Sequence, residues 1–70
     1  MAFEECLDEV ERYQRIVKRL RELGINPRYA GSEIRELAKR GKLTRELLLL
    51  YFDLMDAKRD IIRCVYRAIV

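Results

Sequence analysis

The sequence predicts an all-α fold: an antiparallel helical hairpin with a short connecting helix, forming a single helical domain over residues 1–70. Three observations predict this fold. Apolar residues recur every three or four positions along two long segments. Half of the residues are hydrophobic and 39% are charged, a composition typical of helix-rich globular proteins. The single proline and the three glycines lie between or at the ends of the periodic segments, where helices are expected to end.

The first helix is predicted over residues 3–23. Its apolar stripe alternates spacings of three and four, through Phe3, Cys6, Val10, Tyr13, Val17 and Leu20. Acidic residues come early in this segment and basic residues late, which suits the helix dipole. Gly24 and the Asn26–Pro27 step predict the end of the helix, because the residue before a proline avoids helical geometry.

A short second helix is predicted over residues 32–41, with Ser32 as its capping residue and Gly41 at its end. Thr44 is predicted to cap a long third helix that spans residues 44–69. This helix carries two adjacent apolar stripes. The first comprises Leu47, Leu50, Leu54, Ala57, Ile61, Cys64 and Ala68, and the second comprises Leu48, Phe52, Met55, Ile62, Tyr66 and Ile69.

The two stripes together are wider than one facing helix can bury. Either the short helix or a second subunit must cover the excess, and the width favours a homodimer that completes a helical bundle. Lys58 lies within this apolar arc, where its stem either reaches an edge or makes a polar contact at the interface. The predicted interface comprises Leu48, Tyr51, Phe52, Met55, Lys58, Ile62 and Tyr66.

Charge is distributed unevenly along the chain, whose formal net charge is +3. Residues 1–11 carry five acids and no basic side chain, residues 12–45 carry eleven bases and three acids, and residues 46–70 are balanced. The basic middle segment is compatible with a nucleic-acid backbone or an acidic partner. Its alternative explanation is the solvated face of a helix.

No secretory signal or membrane span is visible, since the longest apolar run covers only residues 47–52 and a span needs roughly 20 residues. We therefore expect a cytoplasmic protein, and the charge density is compatible with a thermophilic source. An antiparallel hairpin brings Cys6 and Cys64 to the same level, so a disulfide is geometrically allowed, but the compartment predicts reduced thiols. No metal or cofactor is expected, because the sequence contains no recognisable ligand pattern.

The most informative segment is residues 59–66, which read RDIIRCVY. The candidate catalytic residues are Arg59, Asp60, Cys64 and Tyr66, and the candidate nucleic-acid-binding residues are Arg59, Arg63 and Arg67. An arginine can stabilise the negative charge of a phosphorane during RNA cleavage. The alternative is structural: Asp56 with Arg59 and Asp60 with Arg63 have the i,i+3 spacing of ordinary helical ion pairs.

The order of residues from Pro27 to Tyr66 resembles that of HEPN domains of the HepT toxin type. The matching positions are Pro27, Tyr29, Leu37, Gly41, Leu43, Leu47, Arg59, Asp60, Cys64 and Tyr66. In that family a long helix carries an arginine, a polar residue, a histidine and a tyrosine. The resemblance implies a dimeric helical bundle with an RNA cleft, and a nucleotidyltransferase-type antitoxin as its protein partner.

Cys64 occupies the position of the family's histidine, and the chain contains no histidine. Removing the proton of an RNA 2′-hydroxyl near neutral pH suits imidazole, whereas a thiol titrates about two units higher. The favoured hypothesis is therefore a non-catalytic interaction module, resembling a degenerate HEPN domain, that self-associates and binds a protein or RNA. Two alternatives stay open: an active metal-independent ribonuclease toxin, and a basic nucleic-acid-binding helical protein.

Overall fold

A computed structural model describes residues 4–69 and contains three α-helices: α1 (Leu7–Glu22), α2 (Ala30–Lys39) and α3 (Arg45–Ile69). Short 3-10 segments precede α1 and α2, and no strand occurs between residues 4 and 69. Helix α1 packs along α3, and the short α2 packs against α3 from the connecting segment. The predicted all-α hairpin with a connecting helix is confirmed.

Contacts at both ends of the hairpin show that α1 and α3 run antiparallel. At one end the Cα atoms of Cys6 and Cys64 are 5.9 Å apart. At the other end the guanidinium of Arg19 donates to the carboxylate of Glu46 at 2.6 and 2.9 Å. This hydrogen bonding is the main reason that the pKa of Arg19 is raised above its usual value, and Glu22 adds to the effect. Because these groups are exposed, the cluster contributes little stability.

The core lies where α1, α2 and the inner stripe of α3 meet. Its buried side chains are Ile16, Leu20, Ile25, Ala30, Ile34, Leu47, Leu54 and Ala57. The first of the two apolar stripes predicted for α3 is therefore the one that faces α1. Leu20 and Leu54, which are almost completely buried, come from α1 and α3 respectively and belong to the same cluster.

The two glycines predicted to end helices do so. Gly24 and Gly41 have φ values of +83° and +68°, in the left-handed region that favours glycine at the C-terminal end of a helix. The beginning of the first helix differs from the prediction, because residues Glu4–Cys6 form a 3-10 turn and α1 begins at Leu7. Phe3, the first residue of the predicted stripe, lies outside the described residues.

Ser32 does not cap α2, contrary to the prediction. The helix begins at Ala30, after a 3-10 turn that Asn26 initiates. The Asn26 Oδ1 accepts a hydrogen bond from the N–H of Arg28 at 3.0 Å, and the Asn26 N–H donates to the Glu33 carboxylate at 2.6 Å. These two bonds stabilise the start of the turn, and the proline that follows Asn26 suits the first position of such a segment.

Thr44 caps α3 as predicted. Its Oγ1 accepts a hydrogen bond from the backbone N–H of Leu47 at 3.2 Å, which satisfies one of the N–H groups that the first turn of a helix leaves unpaired. The cap fixes where α3 begins, and the packing of Leu47, Leu54 and Ala57 in the core orients the helix.

Candidate interaction surface

The second apolar stripe of α3 is exposed along its length. Phe52, Met55, Ile62, Tyr66 and Ile69 expose between 43% and 74% of their surfaces, and Leu48 is half-buried. Neither α1 nor α2 covers this stripe. The short helix α2 therefore does not bury the second apolar stripe, which was one of the two possibilities for this surface.

Seven positions on this face of α3 follow a heptad pattern, with spacings that alternate between four and three. They are Leu48, Phe52, Met55, Arg59, Ile62, Tyr66 and Ile69, and we call them the α3 seam. A repeat averaging 3.5 residues keeps side chains on one face when two helices supercoil around each other. Arg59 is the only charged residue of the seam. Arg59 interrupts the apolar stripe, so the spacing of apolar residues alone does not indicate this register.

The arginines and aspartates of residues 56–63 do not form the expected i,i+3 pairs. The Asp60 carboxylate instead accepts a hydrogen bond from Nη1 of Arg12 on α1, at 2.9 Å. Asp56, Arg59 and Arg63 form no ion pair with any residue between 5 and 69. Their charges are available to a second molecule.

The four candidate catalytic residues do not form one site. Asp60 and Cys64 line a pocket of about 360 Å³ together with Arg63 and Arg67, between the start of α1 and the end of α3. Arg59 does not line this pocket, because a side chain one position before Asp60 points about 100° away around the helix. Tyr66 lies on the seam with Arg59. Of the three candidate nucleic-acid-binding residues, Arg63 and Arg67 line the pocket, whereas Arg59 lies on the seam.

Cys64 forms a disulfide with Cys6, with a sulfur–sulfur distance of 2.07 Å. The prediction that both thiols stay reduced is wrong, whereas the estimate that placed them at the same level of the hairpin is confirmed. Cys6 is fully buried, so the bond ties the start of α1 to α3 at the edge of the core. With its sulfur in this bond, Cys64 has no thiol to act as a nucleophile or to transfer a proton.

The pocket beside the disulfide has a mixed charge. The acids Glu5 and Glu9 line it opposite Arg63 and Arg67, and one carboxylate oxygen of Glu9 is buried without a hydrogen-bond partner. The acids offset the attraction of the arginines for a phosphate. No group of three metal-binding side chains comes together among residues 4–69. In the same part of the chain, no helix is long and apolar enough to cross a bilayer.

Two residues of the predicted interface lie beside the seam. Tyr51 is half-buried and packs against α2, with its hydroxyl oxygen 3.2 Å from where a Cβ on Gly31 would stand. Tyr51 therefore packs within its own chain. Lys58 is exposed, so its ammonium group keeps its hydration and needs no acidic partner within the chain.

The basic side chains of α2, of the following turn and of the first residue of α3 are exposed. They are Arg35, Lys39, Arg40, Lys42 and Arg45, and none of them pairs with an acid among the described residues. Arg28 nearby lies 5.9 Å from the ring centre of Tyr29, in the range of a cation–π contact. This basic surface belongs to a different part of the chain from the motif at residues 59–66.

No protein-family model matches the chain, and neither does any curated protein or solved structure. The resemblance to HEPN domains therefore depends on the matching residues between Pro27 and Tyr66 alone.

Proposed function

We propose that this protein is a non-catalytic helical interaction module that self-associates through the α3 seam. The exposed apolar side chains of the seam, all in one heptad register, are the observation that carries this proposal. An apolar strip of this length is unfavourable in water unless another surface covers it. The heptad spacing indicates that the covering surface is itself a helix.

The arrangement of the motif supports a role without catalysis. RNA cleavage by general acid–base chemistry needs a group that exchanges protons near neutral pH, and the chain has no histidine. The Cys64 sulfur is bonded to Cys6, and the Asp60 carboxylate is paired with Arg12. The remaining candidates, Arg59 and Tyr66, lie on the seam, where packing against another helix explains them.

The resemblance to HEPN domains suggests a common ancestor and not a shared activity. A shortened domain would have kept the long helix and its dimerisation while losing the histidine on which the chemistry depends. Its further partners would then be a nucleotidyltransferase-type antitoxin or RNA. A gene for a small nucleotidyltransferase adjacent to the gene for this chain would support that part of the proposal, and an unrelated neighbourhood would count against it.

A cytoplasmic location is part of the same proposal. The disulfide restricts it to a cytoplasm in which disulfides persist. Cytoplasmic disulfides are rare in organisms that grow at moderate temperature, but the intracellular proteins of hyperthermophiles are rich in them. A chain with 39% charged residues and a disulfide between Cys6 and Cys64 fits a thermophilic cytoplasm. Growth of the source organism at moderate temperature would contradict this combination.

Light scattering after size exclusion, applied to a matched pair of variants, tests the self-association. Ile62 is 66% exposed on the seam, and Leu7 is 53% exposed on α1, away from it. The Ile62→Glu variant should elute as a monomer, because it places a charge in the apolar contact, while Leu7→Glu should keep the mass of the unmodified protein. Equal masses for both variants would contradict the assignment of the seam, and circular dichroism shows that each variant is folded.

The basic surface around α2 supports a second candidate function, the binding of a nucleic-acid backbone. The observation that favours it is the exposure of five unpaired bases between Arg35 and Arg45. Binding of labelled RNA should weaken steeply as salt rises, because each phosphate contact releases counterions. Replacing Arg35 and Lys39 by glutamine should weaken it further, whereas the same change at Arg15 and Lys18 on α1 should not. Absence of binding at low salt would exclude this function.

A further inference from the structure

We infer that two copies of the chain pair antiparallel along the α3 seam, in the register that places Arg59 opposite the partner's Ile62. This inference rests on the proposed self-association and adds to it the orientation and the contacts of the pair. It follows from the charges that flank the seam. In paired helices, flanking charges select orientation and register, because like charges brought together repel each other.

The positions that flank the seam are few and chemically distinct. Asp56 and Arg63 lie along one edge, and Lys58 and Val65 lie along the other. The three charged residues are exposed and form no ion pair with residues 5–69. Arg63 also borders the pocket that Glu5 and Glu9 line, but it forms an ion pair with neither acid. The pairing of these three charges across an interface can therefore determine how two helices align.

A parallel pair brings like charges together throughout this region. Each seam residue then faces its own copy, so Arg59 lies against the partner's Arg59. In the same arrangement each Lys58 lies beside the partner's Arg63. Three cationic contacts in one interface disfavour the parallel orientation.

Antiparallel pairing offers two registers that keep the middle of the seam in contact. In the first, Arg59 faces the partner's Met55, and the flanking contacts join Asp56 to the partner's Asp56 and Lys58 to the partner's Lys58. Both flanking contacts are repulsive. This register therefore carries the same disadvantage as the parallel pair.

The second antiparallel register, displaced by one heptad, resolves these conflicts. Arg59 faces the partner's Ile62, and its stem packs on that side chain while the guanidinium reaches the edge of the helix. Asp56 lies beside the partner's Arg63, and the two-fold axis repeats this ion pair on the other side. Lys58 lies beside the partner's Val65, which carries no charge.

The apolar contacts of this register are also well matched. Phe52 faces the partner's Ile69, and Met55 faces the partner's Tyr66, a thioether–aromatic contact of the kind that is favourable in protein interiors. The contact runs from residue 52 to residue 69, about 26 Å at the rise of an α-helix. Arg59 thereby gains a role in pairing, in place of the catalytic role first considered for it.

Photo-cross-linking distinguishes the three arrangements. A benzoylphenylalanine replaces Tyr66, the irradiated dimer band is cut with a protease that cleaves before aspartate, and the cross-linked peptides are identified by mass spectrometry. The inferred register predicts a link to peptide 53–55, which contains Met55. The other antiparallel register predicts a link to peptide 8–52 near Leu48, and a parallel pair predicts a link to peptide 60–70. Either of the last two results would overturn the inference.

A charge exchange provides an independent test. Asp56→Arg and Arg63→Asp should each raise the dissociation constant of the dimer roughly tenfold, and the double variant should restore it to within about threefold. Failure of the double variant to recover would contradict the register even if both single variants weaken the dimer. A monomeric unmodified protein would instead contradict the self-association itself, so the two failures are distinguishable.

Discussion

Arg12 on α1 and Asp60 on α3 form an ion pair across the helical hairpin, with 2.9 Å between the guanidinium nitrogen and the carboxylate oxygen. The two residues are 48 positions apart in the sequence. The ion pair gives Asp60 a structural role that requires no catalysis. It also leaves Arg63 without the i,i+3 ion pair that the spacing predicts with Asp60.

The pair should contribute modestly to stability. Its side chains are 40% and 45% exposed, and solvent-exposed ion pairs contribute at most about 1 kcal/mol. A double-mutant cycle with Arg12→Gln and Asp60→Asn, measured by urea unfolding, should give a coupling free energy of about 0.2–1 kcal/mol. Asp53→Asn, a change at an exposed aspartate without an ion pair, is the control. A coupling energy of zero would contradict a stabilising contribution from the pair.

The disulfide should contribute much more. It closes a loop with a sequence separation of 58, for which the chain-entropy relation gives about 4 kcal/mol of stabilisation. Urea unfolding of the oxidised protein, of the reduced protein and of Cys64→Ser should show a loss of that order in the last two. The unreduced protein should also be lighter than the reduced protein by the mass of two hydrogen atoms. Identical masses would contradict the presence of the bond.

The helix caps give a matched pair of single substitutions. Thr44→Ala removes the oxygen that accepts the N–H of Leu47, and should lower the free energy of unfolding by about 1 kcal/mol. Ser32→Ala should change it by less than about 0.5 kcal/mol, because Ser32 is exposed and does not cap α2. The reverse order of these two effects would show that α2 begins where the sequence first indicated.

Local information in the sequence was sufficient to predict the helices and the buried face of α3. The spacing of Leu47, Leu54 and Ala57 identified the buried face of α3, and the glycines at 24 and 41 identified two helix ends, since both signals lie within a few residues. The start of α2 differs from the prediction because Pro27 lies in the turn that begins this helix, whereas a proline after a helix equally indicates the end of the preceding one. Local patterns can thus assign the elements but misplace their ends.

The candidate site could not be predicted to the same degree. The partner of Asp60 lies on another helix, and spacing along α3 favours Arg63, which the folded chain does not use. Helix geometry allows the Cys6–Cys64 bond, but the expected cytoplasmic location predicts reduced thiols. Both failures concern contacts between distant segments, which helical periodicity does not report. The heptad register of the seam, in contrast, could have been recognised in the sequence once Arg59 is included.

Incubation with labelled RNA should leave the RNA intact. We expect no cleavage by the unmodified protein or by Arg59→Ala, because the sulfur of Cys64 is in a disulfide and no histidine replaces it. The comparison is read on a denaturing gel, with the reduced protein included to free the thiols. Cleavage by the unmodified protein that is lost in Arg59→Ala would establish the ribonuclease alternative.

The mass of the unmodified protein in solution tests the central claim most directly. Sedimentation equilibrium over a range of concentrations should give twice the chain mass of 8.4 kDa, because we propose that a second copy covers the α3 seam. A single species at 8.4 kDa at the highest concentration would contradict self-association through this surface.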